Sequence, residues 1–101
     1  MENITIKLPA GSPASRRSAI PYRDRIIEAF DNPKIEKIIL DLNGVEIISG
    51  SFADECVGIL VEIYGLQRVK DKIRLSNGNG AADKSIVKAI LDRQKLSESI
   101  N

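Results

Sequence analysis

The segment "KIEKIILDL", Lys34–Leu42, constrains the fold more than any other part of the chain. Its three consecutive apolar residues, Ile38–Leu40, would place apolar side chains on both faces of a strand, which is typical of the centre of a parallel sheet. Two segments in which polar and apolar residues alternate, "NITIKL" at Asn3–Leu8 and "KIRLSN" at Lys72–Asn77, predict half-buried strands. We therefore expect a three-stranded sheet with the continuously apolar strand in the centre.

The segments between these strands have the spacing of helices. The first helix is expected to start at Pro21, which suits a first turn, and it has this apolar stripe: Tyr22, Ile26, Ile27 and Phe30. A second helix is predicted from about Phe52 to Gly65, with this core-facing stripe at helical spacing: Ala53, Cys56, Val57, Leu60, Val61 and Tyr64. A third is predicted after Gly80, and it is expected to turn four residues inward: Ile86, Val87, Ile90 and Leu91.

The resulting β-α-β-α-β-α order predicts a small α/β fold with a single-layer, mainly parallel sheet. Right-handed crossovers would place the connecting helices on one face of that sheet. The other face would then need the last helix, an extra strand or a second subunit to cover it, so a homodimer is one expected arrangement.

The length and charge of the chain limit what it can bind. Its 101 residues suffice for one domain, 1–101, in which we expect the tail from about residue 95 to fray. The formal net charge of +1 favours neither nucleic acid nor an anionic membrane as a partner. No apolar run approaches the roughly 18 residues of a membrane span, and the N-terminus has no signal pattern. Together with the single Cys56, these features predict a cytoplasmic protein.

The absence of histidine excludes much chemistry. A serine or cysteine nucleophile with a histidine base cannot be built, and one cysteine without histidine does not suffice for a zinc site. We therefore predict a protein without enzymatic activity, metal or cofactor.

Small polar residues follow each predicted strand, in the segments 15–18, 49–55 and 77–80. The carboxyl ends of parallel strands meet at one edge of a sheet, where such folds usually carry their site. In the middle segment, Ser51 and Asp54 have the spacing of a capping box, which is worth about 1 kcal/mol at a helix start. Alternatively, Ser51 is a phosphorylation switch at a helix N-terminus, although Asp54 and Glu55 would repel a phosphate there.

The segment from Lys37 to Leu60 resembles the STAS fold of anti-sigma factor antagonists: an aspartate-ended strand at Asp41, then "NGV" at Asn43–Val45, then "SGS" before a helix. The "SFADE" string, Ser51–Glu55, is similar to an uncharacterised STAS-like family of bacterial domains. On this alignment Gly50 stands where those antagonists have their phosphorylated serine, and Ser51 matches the serine after it. The resemblance implies a regulatory role through a protein partner of the ATP-binding kinase or anti-sigma class.

Two sets of candidate binding residues follow. The first is a partner-binding edge that would act by competition, with switch residues and apolar contributors: Ser49, Gly50, Ser51, Phe52, Asp54, Glu55 and Ile59. The alternative is an anion- or nucleotide-binding module at these residues: Arg16, Arg17, Asn77, Gly78, Asn79 and Gly80. The two arginines are also expected to pair with Asp54 or Glu55. Gly58, in mid-helix, indicates that something packs closely there: either the first or last helix covers that flank, or the flank is part of a partner-binding surface.

Overall fold

A computed structural model describes the backbone of residues 1–100 and the side chains of residues 1–98. Three parallel strands form the sheet in the order β1-β2-β3: β1 Glu2–Lys7, β2 Ile35–Asp41 and β3 Ile73–Ser76. The fold is the small α/β fold predicted, with the continuously apolar strand in the centre.

The two faces of the sheet differ in chemistry. Ile38 of β2 lies beside Ile4 and Ile73, and the side chains of this inner face continue as Ile6 and Leu40. On the outer face Ile39 is half-buried, and its neighbours Thr5 and Arg74 are exposed. The sheet has three strands and the last helix packs on the central helix, so among the described residues neither an extra strand nor the last helix covers this face. A second subunit as the cover stays a prediction.

Helix α1, Arg16–Phe30, begins earlier than predicted. The Ser15 hydroxyl accepts a hydrogen bond from the Ser18 amide at 3.1 Å, and this cap starts the helix five residues before Pro21. Pro21 therefore lies inside the helix and not in its first turn. The polar segment 15–18 is therefore the cap and first turn of α1.

A continuous central helix follows the loop after β2. It consists of α2 (Gly50–Ala53), a π-helical turn (Asp54–Gly58) and α3 (Ile59–Tyr64). Its buried side chains include Cys56, Val57 and Leu60, as the predicted stripe requires. A short helix that the sequence analysis missed, α4 (Leu66–Lys72), follows Gly65 and leads into β3.

The last helix, α5 (Ala81–Ile100), packs along the central helix and runs through most of the tail that we expected to fray. A Cβ added to Gly58 would lie 3.0 Å from the Ala89 carbonyl oxygen, so the last helix is the close neighbour that this glycine predicted. Small residues, Ala82 and Ala89, face this contact. Val87 and Leu91 were predicted inward, but they are 47% and 49% exposed because they lie on the opposite side of α5.

Among the residues that the structure describes, no helix is both long and apolar enough to cross a bilayer.

Candidate functional site

The three strand exits meet at the carboxyl edge of the sheet, and hydrogen bonds join their loops. The Asn77 side chain donates to Asp41 Oδ1 at 2.9 Å, and the Asn43 amide donates to the same oxygen at 2.9 Å. These bonds, with a contribution from the nearby Lys7, hold the pKa of Asp41 below its usual range. The Asn79 side chain donates to the Glu46 carbonyl at 2.9 Å. This edge is therefore one connected polar rim.

Ser49 caps the central helix, and Ser51 does not. The Ser49 hydroxyl accepts a hydrogen bond from the Phe52 amide at 3.0 Å and donates to the Ala14 carbonyl of the neighbouring loop. Ser51 lies in the first turn with an exposed side chain. The predicted capping box at Ser51 and Asp54 is therefore wrong by two residues, because the contact with Ala14 fixes Ser49 at the cap position.

Asp54 is the electrostatic centre of the site. Arg93 of α5 donates to both of its carboxylate oxygens, from Nε at 2.6 Å and from an Nη at 2.8 Å, and Arg16 of α1 donates to Oδ2 at 2.6 Å. The bonds from Arg93, followed by those from Arg16, hold the pKa of Asp54 below its usual range against the opposing effect of burial. Asp54 thus joins α1, the central helix and α5, and its pairing with Arg16 is the one predicted from sequence.

The other residues of the predicted partner-binding edge are placed differently. Glu55 pairs with Arg23 of α1 at 2.7 Å, Gly50 is exposed, and Ile59 is half-buried one turn further along. Phe52 is fully buried, and its ring lies 6.1 Å from that of Tyr22. The prediction that Phe52 contributes to the partner-binding surface is therefore wrong, because its side chain fills the core under α1.

A groove of about 770 Å³ opens between the start of the central helix and α5. Gly50, Ser51 and Asp54 form one wall. Residues of α5 form the other wall: Ser85, Lys88, Ala89, Asp92, Arg93 and Leu96. The groove is lined about equally by polar and apolar surface and carries both signs of charge, so it is suited to hydrogen bonds and ion pairs with a protein surface. We call this groove and the exposed first turn of the central helix the rim groove.

The predicted anion-binding residues do not form a free site. Arg16 is bonded to Asp54, Asn77 to Asp41, and Asn79 caps α5 by accepting from the Ala82 amide at 3.0 Å. Arg17 is exposed. A Cβ on Gly78 would overlap the Asp83 carboxylate, so a negative charge occupies the space between Gly78 and the start of α5. No contact in the described part of the chain favours an anion at Gly78–Gly80, and that alternative stays a prediction.

Sequence reasoning missed Arg93 and Arg23, the two arginines that hold Asp54 and Glu55 most closely. Both lie far from their partners in the chain and carry no local motif. The only signal was the presence of two acids at the rim, for which the sequence suggested no partners other than Arg16 and Arg17.

Within the described residues, no three side chains of the His, Cys, Asp or Glu type come together as a metal site. Cys56 is buried, and burial raises the pKa of its thiol to about 12, so it is a core residue in the resting protein.

The sequence profile of a family described as a STAS-like domain of unknown function (DUF4325) matches residues 18–82. The chain belongs to this STAS-like family. The match includes β2, β3, the central helix and most of α1, and it ends as α5 begins. Asp54 and Glu55 thus lie within the family domain, whereas Arg16 and Arg93 lie outside the matched residues. No curated protein and no solved structure matches the chain significantly.

Proposed function

We propose that this STAS-like domain is a non-catalytic regulatory module that binds another protein through its rim groove. The observation that carries the proposal is the contrast between two neighbouring serines. Ser49 is fully engaged as a helix cap, whereas Ser51 offers an exposed hydroxyl at the mouth of the groove. Exposed polar side chains on a rigid element are suited to recognition, because little ordering is required on binding.

The partner class follows from the family resemblance. STAS-like folds of the anti-sigma antagonist type imply an ATP-binding kinase-like or anti-sigma protein as partner. Docking of the rim groove would compete with another interaction of that partner and so block or release it. The charged walls, with Lys88 and Asp92 on one side and Asp54 on the other, favour a partner surface that supplies charges of both signs.

Modification of Ser51 would tune this binding. A phosphate on its exposed hydroxyl would bring negative charge next to Asp54 and within the same groove as Arg16 and Arg93. The two arginines would then be shared between the carboxylate and the phosphate, which would change both the charge and the shape of the docking surface. Ser49 is less suited to modification, because its hydroxyl bonds to Phe52 and Ala14 hold the helix start in place.

The test is co-purification of the tagged chain from the cells that naturally produce it, with mass spectrometry to detect an ATP-binding kinase-like or anti-sigma protein. Ser51→Arg, which places a bulky charge at the groove mouth, should abolish recovery of that protein. Lys34→Glu is the matched control, since Lys34 is an exposed charged residue just before β2, at the opposite edge of the sheet. Equal recovery with wild type and Ser51→Arg would contradict the proposal, provided that circular dichroism shows both chains to be folded.

A further inference from the structure

In the described part of the chain, the outer edge of β1 presents a row of backbone groups that no other strand pairs with. The backbone amides of Glu2 and Leu8 point towards β2, where they donate to the carbonyl oxygens of Lys34 and Asp41. Because backbone groups alternate in direction along a strand, the N–H and C=O groups of Asn3, Thr5 and Lys7 point away from β2, to the edge of the sheet. β1 is a terminal strand in the sheet order, so within the described residues these groups face outward from the sheet.

The two edges of the sheet are protected to different degrees. β3 is only four residues long and carries Arg74, and short or charged strands resist pairing with another chain. β1 has six residues, contains no proline, and is uncharged from Asn3 to Ile6. Ile4 on this strand is 37% exposed. The β1 edge is therefore the one suited to extend the sheet.

We propose that two copies of this chain pair through antiparallel β1 strands, forming a continuous six-stranded sheet. A two-fold axis perpendicular to the sheet at Thr5 places Thr5 opposite the partner's Thr5 and Asn3 opposite the partner's Lys7. These are the residues whose backbone groups point outward, so the pair would form up to six hydrogen bonds. The same register sets Ile4 opposite the partner's Ile6, an apolar cross-strand pair on the inner face.

The neighbouring registers are less favourable. A shift that sets Asn3 opposite the partner's Thr5 would form up to four hydrogen bonds within β1 and would place Glu2 opposite the partner's Ile6. A shift in the other direction, which sets Thr5 opposite the partner's Lys7, would also form up to four. The sequence of the strand therefore selects one register, as expected where one face of a strand is buried.

Charged side chains on α1 would also pair across this two-fold axis. A hollow of about 250 Å³ beside Ile4 and Thr5 is lined on the α1 side by Arg25 and Glu28. A two-fold axis reverses the direction of the second α1, so Arg25 of each copy would face Glu28 of the other. Opposite charges would meet twice at the margin of the strand pair, which favours a second copy of this chain as the occupant of this edge.

The dimer leaves both rim grooves free. Antiparallel pairing of the β1 strands directs the carboxyl edges of the two sheets towards opposite ends of the assembly. The inference is therefore independent of the proposed function, and either one can fail without the other.

The mass of the protein in solution tests the pairing. Light scattering after gel filtration should show the apparent mass of the wild-type chain doubling as concentration rises. Thr5→Pro removes an outward N–H on an edge strand, where proline is tolerated, so this variant should keep its circular dichroism spectrum and remain monomeric. Thr5→Val, which retains the N–H, is the matched control and should still dimerise. A monomeric wild type at every concentration, or a dimer that survives Thr5→Pro, overturns the proposal.

Cysteine cross-linking tests the register. Thr5→Cys should form a disulfide between copies under mild oxidation, because directly opposed residues of hydrogen-bonded pairs lie about 5.5 Å apart at Cα. Asn3→Cys alone should form no disulfide between copies, because Asn3 lies opposite the partner's Lys7. A mixture of the Asn3→Cys and Lys7→Cys variants should form one. The native Cys56 is buried and gives little background. Equal cross-linking of Thr5→Cys and Asn3→Cys alone would rule out this register.

Discussion

Replacement of Asp54 by asparagine tests the electrostatic centre that joins three helices. Asn has the same shape but no charge, so it loses the charge-assisted character of the bonds from Arg93 and Arg16. The carboxylate of Asp54 is 19% exposed and Arg93 is 18% exposed, whereas Arg16 is 51% exposed. The contribution of Arg16 is therefore small, because solvent screens an exposed pair.

The expected size of the effect follows from this partial burial. A hydrogen bond to a charged group contributes about 1.5–3 kcal/mol, and breaking a fully buried pair costs about 3–5 kcal/mol. Arg93 keeps a second partner, Glu62, at 3.0 Å, so it is not left unpaired. We expect Asp54→Asn to lower the free energy of unfolding by about 2 kcal/mol, or Tm by roughly 10 °C in a domain of this size.

Asp92→Asn is the matched control, since it removes the same charge from an exposed pair. Asp92 and its partner Lys88, four residues earlier on α5, are 51% and 76% exposed, so the expected loss is below about 0.5 kcal/mol. Urea denaturation at neutral pH measures both variants. Equal losses for Asp54→Asn and Asp92→Asn would refute the assignment of Asp54 as the link between α1, the central helix and α5.

The same carboxylate makes the difference between wild type and Asp54→Asn depend on pH. The pKa of Asp54 is lower in the folded protein than its ordinary value of about 3.9 in the unfolded chain. Its stabilising contribution is therefore fully present above about pH 5 and is lost as the pH falls through the depressed folded pKa. Unfolding curves between pH 7 and acidic pH should show the two proteins converging. A difference that persists unchanged at strongly acidic pH would contradict a charge-based contribution.

Three further outcomes are expected. Gly58→Ala should lower stability by about 1–2 kcal/mol despite the better helix propensity of alanine, because the new Cβ would lie 3.0 Å from the Ala89 carbonyl oxygen of α5 and 2.8 Å from Asp54 Oδ1; a gain in Tm would show that α5 is not closely packed there. Ser49→Ala should cost about 1 kcal/mol in urea denaturation and Ser51→Ala less than about 0.5 kcal/mol, and the reverse order would return the cap to Ser51. Cys56 should react with a thiol reagent far more slowly in the native than in the unfolded protein, since its thiol is buried with a pKa of about 12; equal rates would contradict that burial.

Local patterns predicted the elements whose signal lies within a few neighbouring residues. The apolar run Ile38–Leu40 predicted the central strand, and the helix-spaced residues from Cys56 to Leu60 predicted the central helix. The short helix α4 gave no comparable signal, because Leu66 and Val69 alone face inward over its seven residues. Its start depends on Gly65, whose φ of 89° breaks the preceding helix.

The cap of the central helix shows where local pattern was insufficient. Ser49 and Ser51 both precede an apolar run, and the spacing rule selected Ser51. The Ala14 carbonyl, 35 residues away in the chain, bonds to Ser49 and decides the matter. The orientation of α5 was likewise decided by Gly58, since only the side of α5 with Ala82 and Ala89 can approach so closely.

By itself, the sequence determined the parallel α/β order, the central position of β2, the meeting of three strand exits at one edge, and the exclusion of histidine chemistry. These features depend on the period of apolar residues and on composition, which are local or global properties of the chain. The tertiary structure alone decided that Arg93 and Arg16 meet at Asp54, that Phe52 is buried, and that Ser51 lines a groove with α5. Those contacts join residues far apart in the chain, and the packing of helices sets their geometry, which a single sequence does not record.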